Sequence, residues 1–206
     1  GDDLLELAEN EKDPEKKLDY LIRAVVRLVE SKKFSEAERR IFDISKTDVR
    51  DALYLFTYFR SAIDRADSGD MLGFDRQANQ VSDRTARSFL LLYALEKPAF
   101  SEFDWNMIKN KASTAIDEIN DPAEKASASV TLLERLLESQ PDEAQLYVPT
   151  MLRNVNAATA YYQQPLRTTI KIPNFSAEFV ETTGSGSFRR ALKKMASLNW
   201  TEAQIL

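Results

Sequence analysis

Apolar residues recur at three- and four-residue intervals along most of this 206-residue chain, and helix start and stop signals interrupt them at regular distances. A helix with one buried stripe requires that period, whereas a half-buried strand requires alternation. Leu18, Leu21, Ile22, Val25, Val26, Leu28 and Val29 fall on one such stripe, as do Leu132, Leu133, Leu136 and Leu137. Leu53, Leu55, Phe56, Tyr58, Phe59 and Ile63 go further round their helix, the pattern of an element packed on both sides. With only five glycines, the chain has few interior helix breakers.

The caps set the boundaries. Asp13-Pro14 and Asp121-Pro122 each place a capping carboxylate before a proline at the first helical position, where a missing N–H costs nothing. Ser35-Glu36-Ala37-Glu38 fits a capping box, with Ser35 as the cap. Gly69-Asp70 reads as a helix stop followed by a new start. The sequence thus predicts helices near 14–31, 35–45, 47–67, 71–81, 83–96, 102–119, 122–139 and 142–161, after a short one near 3–10.

A repeat underlies these boundaries. Ile44-Ser45, Val81-Ser82 and Ile119-Asn120 each end a helix with a branched apolar residue and a small polar one. Six positions after each branched residue stands a cation: Arg50, Arg87 and Lys125. Asp13-Pro14 with Lys17 echoes Asp121-Pro122 with Lys125, a fourth and weaker copy. Intervals of about 33–38 residues are those of stacked helix–turn–helix units. The cation serves either a binding role or, preferably, as a tether for neighbouring helix ends.

Lys33-Phe34-Ser35-Glu36-Ala37, with Ile41 and Ile44 following, resembles the entry into the second helix of a tetratricopeptide (TPR) repeat, and Trp200-Thr201-Glu202-Ala203 repeats the pattern. The family's small residue in the first helix falls on Val25 and its closing proline on Val49, so the first copy departs from the motif; Ala191 fits the small position of the second copy. The resemblance covers these two stretches and implies a TPR-like α-solenoid that binds a protein or peptide on its concave face.

After Pro165 the pattern changes. Ile170, Ile172, Phe175, Phe179 and Val180, with Pro173 among β-favouring neighbours, predict an extended segment or small hairpin within 168–183. Gly184-Ser185-Gly186-Ser187 reads as a hinge, because a phosphate loop needs a preceding strand and a lysine. Next, Phe188, Ala191, Leu192, Met195 and Leu198 form an apolar stripe, with Arg189, Arg190, Lys193 and Lys194 on the other side. Such a helix fits an anionic membrane or an acidic partner; it also fits a packed helix with a solvated basic face, and the second is preferred. Trp200 to Leu206 reads as a repeat cut short, docked as a stub or continued in a longer chain.

The chain holds no histidine and no cysteine. That removes the neutral-pH proton shuttle, the thiolate nucleophile and the usual zinc ligands, and no cofactor is expected. Paired carboxylates remain, as in glycosidases, but Glu134 and Glu138 look like an ordinary exposed pair four residues apart, with Arg135 beside them. Asp64, Asp67 and Asp70 lack the alternate spacing and closing glutamate of a calcium loop, so a capped helix end is the better account.

A net charge of −5 argues against broad nucleic-acid binding. No apolar run approaches the roughly 18 residues of a membrane span. The absence of cysteine fits cytoplasm and exported compartments alike. Gly1-Asp2-Asp3 looks like the product of cleavage, which leaves a signal peptide or upstream domain open. The sequence therefore predicts an all-α, right-handed array of antiparallel helix hairpins forming one domain over 1–206: stacked helices to 164, an extended or irregular segment over 165–187, and a partial repeat over 188–206. Its expected function is a non-catalytic protein- or peptide-interaction scaffold, with Tyr161, Tyr162, Arg189, Arg190, Lys193 and Lys194 as candidate partner-binding residues. The alternatives are a carboxylate-dependent enzyme or small-ligand binder on a helical fold, and a structural domain of a larger exported or regulatory protein.

Overall fold

A computed structural model describes residues 2–158, 166–180 and 188–198. Among them the chain forms ten helices and one two-stranded sheet. In order these are α1 (Asp2–Asn10), α2 (Pro14–Glu30), α3 (Phe34–Phe42), α4 (Thr47–Ser68), α5 (Met71–Gln80), α6 (Arg84–Ala94), α7 (Glu102–Asp117), α8 (Pro122–Ser139), α9 (Pro141–Ala157), β1 (Arg167–Ile172), β2 (Phe175–Val180) and α10 (Phe188–Ser197). No helix among the described residues is long and apolar enough to cross a membrane.

The helices begin where carboxylates and hydroxyls can take up free N–H groups. Asp13 accepts from Glu15 N at 2.9 Å, Asp83 from Ala86 N at 2.7 Å, Ser101 from Asp104 N at 3.2 Å, and Asp121 from Ala123 N and Glu124 N at 2.9 Å each. Gly69 ends α4 with φ 72°, a backbone that a side chain would strain. Asp70 then caps α5 by accepting from Gly73 N at 2.9 Å; a Cβ on Gly73 would run into the Asp70 carboxylate.

The capping box expected at Ser35 is not formed. Lys32 turns left-handed with φ 60°, and Lys33 N donates to Leu28 O at 2.9 Å. This closure of α2 lets α3 start at Phe34 with Lys33 as a cap that uses only its backbone. Ser35 lies inside the helix, exposed, one residue past its start.

Three helix junctions share one local geometry. Ile44, Val81 and Ile119 are at most 3% exposed, and each donates its N–H to the carbonyl three residues back, at 3.0, 3.2 and 3.1 Å. The N-cap follows two residues later, at Lys46, Asp83 and Asp121. The carbonyl of each cap accepts from the N–H of Arg50, Arg87 and Lys125 at 2.9 Å, so the three half-buried cations occupy the same helical position. Lys17 holds that position in α2, with Asp13 O at 2.9 Å, although its side chain is exposed.

By their contacts the residues group into two compact units, residues 1–82 with 169–178, and residues 83–168 with 179–206. In the first, α3 packs between α2 and α4, which also touch each other; α1 closes the α2 side through Leu4, Leu5 and Ala24, and α5 packs on α4. Ile41, Leu53, Phe59 and Phe74 are fully buried there. Residues 169–178 are the tip of the β1–β2 hairpin, turned at Asn174 with φ 62°, which asparagine tolerates. Phe175 meets Phe56 edge-on at 5.3 Å between ring centres, and Asn174 donates to Asp19 at 3.1 Å.

In the second unit α7 packs with α6 and α8, which again touch each other, and α9 and α10 pack on α8. Thr85 near the start of α6 donates to Glu124 near the start of α8 at 2.6 Å, so these two helices run the same way. Arg84 and Lys125 donate to the last carbonyls of α7, at Glu118 O (3.0 Å) and Asp117 O (2.6 Å). Lys125 is thus a tether on a helix C-terminus, where a cation is favoured. Leu90, Leu92, Ile108, Ile116, Leu132 and Leu133 form the centre of this core.

Candidate interaction surface

Helix α8 is buried without interruption from Ala126 to Leu137. Four leucines make one side of that run apolar, but Ser127, Ser129, Thr131, Glu134 and Arg135 are buried too. The small hydroxyls are easily satisfied: Thr131 donates to Ser127 O at 2.8 Å, and Ser129 donates to Lys125 O and accepts from Asn154 at the same distance. Tyr147 also reaches Ser129, and burial pushes its phenol up to about 12, despite the opposing effect of that hydrogen bond.

The charges are the informative part. Glu134 is 1% exposed, not the exposed carboxylate its position in a Glu-x-x-x-Glu pair suggested. Arg190 of α10 lies 3.6 Å from it and 4.0 Å from Glu138, and Lys194 pairs with Glu138. Two carboxylates four residues apart on α8 thus face two cations four residues apart on α10. Arg135, 4% exposed, points to a third carboxylate, Glu96, just past the end of α6.

The four basic residues expected on one free face of α10 therefore divide. Arg190, although 42% exposed, and Lys194 lie beside the carboxylates of α8, while Arg189 and Lys193 are exposed. Its apolar stripe divides as well: Ala191 and Met195 are buried, whereas Leu192 and Leu198 remain 41% and 38% exposed. A ten-residue helix packed along one neighbour covers only the residues directly beneath it. Tyr161 and Tyr162, the Gly184–Ser187 hinge and the Trp200 repeat lie outside the described residues.

Beside this seam an open cleft of about 630 Å³ is lined by Glu96, Pro98, Phe100, Glu102, Trp105 and Glu138, among others. Trp105 is fixed by donating its Nε1–H to Leu95 O at 3.0 Å, and Lys97 sits 3.9 Å over the Tyr93 ring. A smaller groove of about 330 Å³ is lined by Leu132, Leu136, Leu146 and the Lys109–Glu143 pair, among others. Phe103 and Leu146 in this unit, and Phe42 and Leu72 in the first, are 75–81% exposed. Among the described residues no three His, Cys, Asp or Glu side chains converge as metal ligands would.

Sequence reasoning missed the buried pair Glu134-Arg135, the partner Glu96 and the clefts. One signal was present: acidic Glu134/Glu138 and basic Arg190/Lys194 share the same four-residue spacing. Comparison with known proteins finds no matching family, curated protein or solved structure.

Proposed function

We propose that this chain is a non-catalytic interaction module built from helical hairpins, which binds a segment of another protein. The observation that carries the proposal is the recurrence of one junction: a buried branched residue, a cap two positions on and a half-buried cation at the fourth helical position. That recurrence, with helices of the same direction flanking one of opposite direction, is how TPR-like arrays are assembled, and we extend it to a right-handed α-solenoid of such hairpins. Exposed Leu146, which lines the groove of the second unit, and exposed Phe103 on α7 supply the apolar anchors that peptide recognition uses. Catalysis by the carboxylates of this seam is disfavoured because Glu96, Glu134 and Glu138 each face a cation.

The test is selection of peptides from a random display library on the immobilised full-length chain, followed by titration of the recovered sequences. Saturable binding weakened at least about tenfold by Leu146→Asp or Phe103→Asp is the expected result; a tenfold change corresponds to about 1.4 kcal/mol. A parallel screen with glycoside, ester and phosphate substrates should give no turnover. Hydrolysis abolished by Glu138→Gln would replace this function with a carboxylate enzyme.

A further inference from the structure

We propose that the open cleft formed by the α6–α7 loop, the start of α7 and the end of α8 takes an arginine side chain presented by a segment of a partner protein. This rests on the interaction-module function above and names one site and the chemistry it accepts.

The walls suit a flat group. Half-buried Phe100 and Trp105 line the cleft, whose volume of about 630 Å³ lies within the roughly 300–1,000 Å³ of sites that hold ligands. Trp105 commits its single donor, Nε1–H, to Leu95 O at 3.0 Å. The ring is therefore fixed in place, and what it offers a guest is its π surface, which attracts cations. Leu95 and Pro98 complete the apolar part of the lining.

The charges are arranged for a cation. Glu96 and Glu138 line the cleft, whereas Arg135 and Lys194, which pair with them, do not, and neither does Arg190, 4.0 Å from Glu138. Both ion pairs thus turn their negative ends to the cleft, and a guest lies nearer the carboxylates than their partners. Coulomb energy falls with distance, so the nearer charge sets the sign. Glu102, the first residue of α7, lines the same cleft and is exposed; among the described residues no hydrogen bond or ion pair engages its carboxylate. One lining residue is a cation, Lys97, and it lies 3.9 Å over the ring of Tyr93, which stands outside the lining. Arginine answers this combination better than lysine. Its guanidinium stacks flat on an aromatic ring, is weakly hydrated, and still donates in its own plane to a carboxylate. An acidic side chain would meet three carboxylates and is excluded.

The experiment uses the full chain carrying Trp200→Phe, in which Trp105 is the single tryptophan, and peptides selected on it from a random display library. Each peptide is titrated by Trp105 fluorescence, then again with its arginine replaced by lysine, glutamine or glutamate. Selected peptides should carry arginine and change the Trp105 emission saturably. Replacing that arginine by glutamine should weaken binding at least about tenfold, by lysine less and by glutamate more. Glu102→Lys should weaken the arginine peptides at least about fivefold, and Glu102→Gln by less. Glu102 is exposed, and far-ultraviolet circular dichroism checks that the charge-reversed chain keeps its helices; if it does not, Glu102→Gln carries the test. Peptides without arginine, an unchanged Trp105 emission, or indifference to both Glu102 variants each overturn the proposal, as does a preference for glutamate. If such peptides still bind and are weakened by Leu146→Asp, the interaction module stands and only this cleft is excluded. No saturable peptide binding removes both.

Discussion

The two units use the same three-helix plan and complete it with different chemistry. In the first, the hairpin tip brings the Phe175 ring edge-on to Phe56, with one neutral-to-acid hydrogen bond from Asn174 to Asp19. In the second, α10 buries Ala191 and Met195 and sets Arg190 and Lys194 against Glu134 and Glu138. An aromatic contact loses little to salt, whereas ion pairs at a half-exposed seam are screened within about 10 Å at 0.1 M ionic strength. One attachment is therefore fixed in kind, and the other is selective and can be tuned. The common plan and the differing attachments can be attacked separately.

The plan gives the largest effects. Ile44 in the first unit and Ile119 in the second are buried to 1% and 3% at the same junction position. Ile44→Ala and Ile119→Ala are each expected to cost about 2–5 kcal/mol, measured by urea titration of the full chain. If the junctions are equivalent, the two costs agree within about 1 kcal/mol. A cost near zero for either would mean that the shared hydrogen-bond pattern carries no shared packing.

The next effect separates the units by pH. Tyr147 of the second unit holds its proton to about pH 12, because burial raises it from an ordinary value of 10.0. The unfolded chain releases that proton near pH 10, so the folded state binds more protons between the two values. The associated stability is complete below pH 10 and is lost as pH rises from 10 to 12, by up to about 3 kcal/mol. Tyr147→Phe should flatten that alkaline fall in denaturant titrations, after an initial cost of about 1 kcal/mol for the Ser129 hydrogen bond. Tyr58 of the first unit is shifted in the same direction by burial, then by Glu38 and its stacked neighbour Tyr54. Tyr58→Phe should flatten the curve less, because Tyr58 is only partly buried.

How much of this was legible follows from the range of each interaction. Helix ends are local: Asp13-Pro14, Asp121-Pro122 and Gly69-Asp70 act within a few residues, and the helices they predict at 14, 122 and 71 start there. The extended segment or small hairpin expected within 168–183 rests on local β-favouring residues too, and the structure forms the hairpin there, with the turn at Asn174 not read from the sequence. Ser35 failed as a cap because the end of α2, with Lys33 bonded back to Leu28, decided where α3 begins. Burial of Glu134 and Arg135 could not be read from α8 alone. A Glu in a Glu-x-x-x-Glu spacing is normally solvated, and its neighbour Arg190 stands on α10, more than fifty positions on. For the same reason the basic face of α10 looked free in the sequence. Its periodicity shows which residues share a side, not which side meets another helix.

The smaller effects test the two attachments directly. Phe175→Ala removes a half-buried ring from Phe56 and should cost about 1–2 kcal/mol. That cost should be the same in 0.05 M and 1 M sodium chloride, measured by thermal or urea unfolding. A cost that vanished in high salt would show that the Asn174–Asp19 contact, and not the ring, secures the tip.

The smallest effect is the most discriminating. Lys194 and Glu138 are 26% and 44% exposed in their side chains, so their pairing is worth only about 0.2–1 kcal/mol, in contrast to the 1–2 kcal/mol of the aromatic contact. A double-mutant cycle with Lys194→Ala and Glu138→Ala isolates that coupling from the packing of α10, which Ala191 and Met195 continue to supply. The coupling should be resolvable at 0.05 M sodium chloride and fall toward zero at 1 M, where the screening length is about 3 Å. Arg190 complicates the cycle because it also lies 4.0 Å from Glu138. With Lys194 gone, its guanidinium can swing toward the vacated carboxylate and hide part of the loss. Repeating the cycle in an Arg190→Gln background removes that substitute, and the coupling should then rise while remaining sensitive to salt. A coupling that is unchanged by both salt and Arg190→Gln would mean that α10 is held by its two apolar contacts alone. The two units would then be closed by the same chemistry after all.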